Sequence, residues 1–225
     1  MVMIFGLIVA VLVLLVLTKR PRDAREAARA EYLDACLTLF TGARTAVAET
    51  GFARISGHYR GQMFDVQVVP DSLNLRKLPC LWLLVTLAER LPVAGIYDAM
   101  MRATGTETFS KFGDLPDLIA TPAGFPEGCT IRTDGPAGWP GAAVIGRYMA
   151  GLDKARLKEV VLAPTGLRVV WLAQEADRGR YLLFRDAELG ALALDPLVLA
   201  PLMDGLCALW ADVMAGAGPK TWVTG

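Results

Sequence analysis

The sequence predicts a single N-terminal transmembrane helix followed by an α+β domain with predominantly antiparallel sheet. Three observations carry this. Residues 1–18 form an apolar run with no charged side chain, in which Thr18 is the only polar one. Several later segments alternate with period two and are joined by short Gly-containing turns, and others carry helical spacing.

Eighteen helical residues span about 27 Å, close to a hydrocarbon core of about 30 Å. Lys19 and Arg20 follow and can snorkel to the headgroups. A cleaved signal would carry basic residues before the run and small residues at a cleavage site after it. Here the run ends in Thr-Lys-Arg-Pro-Arg, so a retained anchor is the expectation. Lys19, Arg20, Arg22, Arg25 and Arg29 all follow the span, which places the N-terminus outside a bacterial inner membrane and the main domain in the cytoplasm. Gly6 and Ala10 form a small-xxx-small pair, a candidate helix-packing surface.

Residues 23–50 read as a juxtamembrane helix, Ala-rich and with an interrupted apolar stripe. FARISGHYR and MFDVQVV read as a hairpin, and CLWLLVTLA at 80–88 is too apolar for a half-exposed strand, so it is expected to be covered on both faces. A short helix is expected over 94–102. The Gly/Pro-rich stretch that follows reads as loop with one strand near 129–133. A helix over 142–150, two strands around Pro164-Thr165-Gly166, a strand over 181–184 and a closing helix over 196–215 complete the chain. The expected organisation is therefore an anchor at 1–20, a juxtamembrane helix at 21–50, a cytoplasmic domain at 51–215 with an irregular insertion at 103–141, and a tail at 216–225. The layout resembles that of bacterial proteins with one N-terminal span and an α+β domain opening on a G-x-Y-x-G hairpin, here Gly57, Tyr59 and Gly61. That resemblance implies no activity.

Composition narrows the function. Lys plus Arg and Asp plus Glu are 23 each, so net charge is zero and no broad field draws in nucleic acid. His58 is the only histidine, and Cys36, Cys80, Cys129 and Cys207 are too scattered for a metal-binding pair, so no metal or cofactor is expected. Ser56, Ser72 and Ser110 are the only serines, and no nucleophile elbow or phosphate loop occurs. No catalytic residue is assigned. Asp114, Asp117, Glu107 and Glu127 read as a solvated loop face, as do Arg147, Lys154, Arg156 and Lys158, which Asp153 and Glu159 interrupt.

Phe109, Phe112, Phe125 and Trp139 are the candidate contacts of the insertion, expected to pin it to its own domain. Together these absences point to a non-catalytic accessory, structural or assembly subunit of a bacterial inner-membrane complex, of which respiratory and photosynthetic complexes are examples. Its expected partners are integral membrane subunits and the lipid bilayer, with no specific small molecule. The alternative is a membrane-tethered regulatory module that binds a ligand or protein through the insertion.

Overall fold

A computed structural model describes residues 22–71, 78–105, 107, 109–136, 139, 141–184 and 187–216. In chain order the elements are helix α1 (22–30), a 3-10 segment Asp34–Leu39, strands β1 (Thr41–Val47), β2 (Ala53–Tyr59), β3 (Gln62–Asp71), β4 (Cys80–Leu87) and β5 (Tyr97–Met101), a 3-10 turn Phe112–Asp114, β6 (Asp117–Ile119), β7 (Cys129–Thr133), α2 (Ala142–Ala150), β8 (Leu157–Ala163), β9 (Gly166–Glu175), α3 (Arg178–Phe184) and α4 (Pro196–Gly216). The strands form one nine-stranded sheet in the order β1-β2-β3-β4-β9-β8-β5-β7-β6, antiparallel at each pairing.

The hairpin β2–β3 closes on Arg60 and Gly61, both at positive φ (50° and 82°), which matches the turn to the strand twist. β4 lies between β3 and β9 near the middle of the sheet, and its alternation feeds two faces. Leu81, Leu83, Val85 and Leu87 join the main core, whereas Trp82 and Leu84 belong to a smaller cluster on the opposite face. The main core lies under α2 and α4. In α4, Leu199, Leu202, Met203, Leu206, Leu209 and Val213 recur at helical spacing and are buried. Each such side chain contributes about 1.5–3 kcal/mol. The same helix is fastened at its polar edge, where Asp204 accepts hydrogen bonds from the Tyr59 hydroxyl (2.7 Å) and Arg60 (3.2 Å).

These observations correct the expected fold class. Among the described residues the fold is one large antiparallel sheet with helices on a face. Among the described residues the one helix long and apolar enough to cross a membrane is the C-terminal Pro196–Gly216, by length and composition only, and a third of that window is buried in the domain. The high apolar content of the chain past residue 21 is therefore used to build a broad sheet core. The N-terminal segment 1–20, with Gly6 and Ala10, and the tail residues 217–225 lie outside the described residues.

Three element expectations also change. The helix expected through residue 50 stops at residue 30, and Thr41–Val47 is instead an exposed edge strand. Thr41, Thr45 and Val47 favour extended backbone, and Gly42 sits at φ 66° beside a register irregularity. The helix expected over 94–102 is strand β5, buried throughout between β7 and β8, so tertiary pairing overrides the helix preference of Ala and Met. The strand expected at 181–184 is helix α3. The Asp177 carboxylate accepts from the Arg180 amide (2.7 Å) and caps the first turn.

The β8–β9 turn docks closely on β4. A Cβ on Gly166, whose φ is 151°, would lie 2.1 Å from the Leu87 carbonyl oxygen. Gly166→Ala is expected to lower stability by about 1–3 kcal/mol, read as a lower urea midpoint, because neither backbone can yield without breaking ladder bonds.

Candidate functional site

The face of the sheet opposite α2 and α4 is where polar chemistry collects. Alternation places Thr86, Asp98 and Arg168 on it, and the register sets them in a cross-strand row, with Thr86 opposite Arg168, Arg168 opposite Val161, Val161 opposite Asp98, and Asp98 opposite Arg132. An irregularity between Leu157 and Glu159 lets the consecutive Lys158 and Glu159 both reach this face. Two clefts open on it, one lined by Arg102, Thr104 and Glu107 of the insertion and the other by Phe109, Ser110, Lys111 and Leu115.

The first cleft, about 280 Å³, is held by an ion pair. Lys158 Nζ donates to Glu107 Oε1 (2.8 Å) and to the carbonyls of Met101 (3.1 Å) and Arg102 (3.0 Å), and both side chains are at most 7% exposed. Glu107 also accepts from the Thr104 amide and hydroxyl (2.7 Å each) and the Gly105 amide (2.9 Å). Burial pushes the Glu107 carboxyl up, but the bonds from Lys158 and Thr104 outweigh it and hold the group at about 2. Arg102, at φ 49°, donates to the carbonyls of Lys154 (2.6 Å), Ala155 (3.4 Å) and Leu157 (2.9 Å). Lys158, Glu107 and Arg102 thus staple the insertion to the sheet.

The second cleft, about 360 Å³, is differently satisfied. Asp98 and Glu159, 3% and 1% exposed, lie on neighbouring strands within hydrogen-bonding reach of each other. Two carboxyl groups can bond only through a proton held by one of them. Burial pushes Asp98 well above the carboxylate range and Glu159 raises it further; burial likewise pushes Glu159 up. Asp98 Oδ1 and Glu159 Oε2 find no other donor among the described residues. The Ser110 hydroxyl donates to Glu159 Oε1 and accepts from the Phe112 amide (3.0 Å). Arg168 donates through Nε to Thr86 Oγ1 (3.0 Å), and it forms no ion pair among the described residues. Lys111 lies exposed at the rim, and Ile96, Phe109, Leu115 and Val161 supply apolar wall.

The four aromatics singled out in the sequence are divided between the faces. Phe109 stands between the clefts and packs on Trp82 at 5.5 Å, while Trp82 donates to Asp71 (3.3 Å). Phe112 is buried under the Arg132 guanidinium, 5.8 Å from the ring centroid. Phe125 and Trp139 pack on each other at 5.6 Å on the main-core side, and Trp139 also meets Tyr97 at 5.6 Å. Asp114, Asp117 and Glu127 are exposed, as are Arg147, Asp153, Lys154 and Arg156. Glu107, Lys158 and Glu159 are not the solvated charges the sequence predicts; the sheet buries all three. In the sequence Asp98 lies in a segment that reads as helix, which hides it as a candidate. One signal was available: the acid sits among Tyr, Ala and Met in a segment with no polar alternation, so as a strand it would be buried.

His58 is exposed on β2, and the four cysteines are unbridged. Among the described residues no three His, Cys, Asp or Glu side chains stand together in a way that could hold a metal ion. No family model matches the chain, no curated protein matches its sequence, and no solved structure matches its fold at a significant level.

Proposed function

We propose that the protein is a binding module that takes a small molecule in the second cleft, between the sheet and the insertion. The observation that supports this most is the contrast between the two clefts. In the first, the buried charges Lys158, Glu107 and Asp71 all have hydrogen-bond partners within the fold. In the second, a buried acid pair with unsatisfied oxygens lies near Arg168, whose charge it feels, and Lys111, and neither cation forms a salt bridge among the described residues. Buried polar groups left open at the edge of a cavity are costly to the fold, and their retention is what a ligand site requires. The apolar walls and few convergent polar groups fit a ligand of modest size.

The test is a thermal-shift screen of small molecules of all three charge classes against the wild type and Ala163→Trp, which fills the cleft from the end of β8. Ligands that raise the melting temperature of the wild type and not of the variant support the module. A screen in which no compound does so removes it.

A second reading is favoured by a separate observation. Leu182, Leu183, Leu192 and Leu197 are 58–82% exposed within one stretch of chain, where Arg180 and Arg25 both pair with Glu188. Exposed leucines rimmed by charge mark contact surfaces. This supports an accessory subunit that packs on integral membrane partners, tested by isolating the full chain from native membranes and measuring stoichiometry.

A further inference from the structure

Within the second cleft the charges are unequal. Arg168 and Lys111 are cationic, whereas Asp98 and Glu159 share at least one proton between them. The cleft therefore carries at least one net positive charge. We infer that the ligand is a small monocarboxylate with an apolar body, held by Arg168 and Lys111 over the Asp98–Glu159 pair, and that a proton is taken up as it binds. This rests on the binding-module reading and adds the chemical class.

The geometry supports each part. Arg168 reaches the cleft from β9 and is steadied by Thr86, which leaves its two terminal nitrogens to form the planar fork that matches a carboxylate. Lys111 stands on the insertion at the rim and supplies a second positive charge. Phe109 and Val161 offer apolar surface for the body of the ligand. An added negative charge beside the acid pair favours its protonated form, so binding and proton uptake are linked. The groups facing the pair are Arg168 from β9, Lys158 on the same strand as Glu159, Ser110 and Lys111 from the insertion, and Arg132 and Cys129 from β7. Lys158 is committed to Glu107, and Arg132 to the Leu115 carbonyl (2.6 Å) and the Phe112 ring. Arg168 and Lys111 are left for the ligand.

The experiment compares benzoate, benzylamine and benzyl alcohol, which share a ring and differ in charge, by calorimetric titration of the full chain in two buffers of different ionisation enthalpy. Benzoate is expected to bind at least tenfold more tightly than the other two and to draw protons from the buffer. Its affinity is expected to fall as pH rises through the titration of the pair. Arg168→Gln is expected to weaken benzoate at least tenfold, with Arg168→Lys recovering part of the loss. Tighter binding of benzylamine, or benzoate binding without proton uptake, overturns this inference and leaves the module standing. If none of the three binds while other compounds give shifts that Ala163→Trp abolishes, the inference again falls alone. If no compound gives such a shift, both fall together.

Discussion

Lys158→Met is expected to destabilise the protein by about 3–5 kcal/mol, because it leaves the Glu107 carboxylate buried without its cation. The loss should appear in urea unfolding near neutral pH and be accompanied by faster amide exchange over 102–111, since Lys158 also ties down the Met101 and Arg102 carbonyls. The double variant Lys158→Met with Glu107→Leu should recover a large part of it, because a well-packed apolar pair replaces a buried ion pair at little cost. The same pair sets the acid limit. Glu107 lies at about 2 in the fold against an ordinary 4.5, so its stabilisation is complete above the ordinary value and is lost as pH falls from there toward 2. Glu107→Gln should lower stability at neutral pH and flatten the acid limb of the stability curve.

The second cleft predicts the opposite slope. Asp98 holds its proton far above the ordinary carboxyl range, first because it is buried and then because Glu159 is beside it. The native state thus binds more protons than the unfolded chain once pH exceeds about 4, and stability falls as pH rises, by up to about 1.4 kcal/mol per unit for each proton so retained. Asp98→Asn keeps the size of the acid and can still donate, while removing the charge that would form. Urea midpoints measured from about pH 5 to about pH 8 should decline more steeply in the wild type than in this variant, where only Glu159 still holds its proton high. A decline of equal steepness in both would show that another group sets the slope.

The elements legible in the sequence are those governed by local pattern. The β2–β3 hairpin, the doubly covered β4, helix α2 and the β8–β9 turn each carry their signal within a few residues: a Gly-containing turn, an apolar run, an Ala-rich stretch, Pro-Thr-Gly. What could not be read locally depends on sheet order. Tyr97–Met101 has helix-forming residues and becomes a strand because β7 and β8 bracket it. Lys158 and Glu159 look like solvated charges until a strand irregularity turns both onto one face. Glu107 looks like a loop acid until the insertion folds back onto Lys158. The site joins two separate regions of the chain, and no spacing rule links Asp98 and Ser110 to Glu159 and Arg168. The exposed acids Asp114 and Asp117 are close in sequence, while the acids at the second cleft, Asp98 and Glu159, are close only in space.

The most direct test of the central claim is amide chemical-shift mapping of the full chain during titration with whichever small molecules stabilise it. The account predicts perturbations concentrated on Thr86, Asp98, Glu159 to Val161, Arg168 and the insertion around Phe109 to Lys111. Shifts confined to the face under α2 and α4, or to the exposed leucines of 182–197, would contradict it and move the function to another surface.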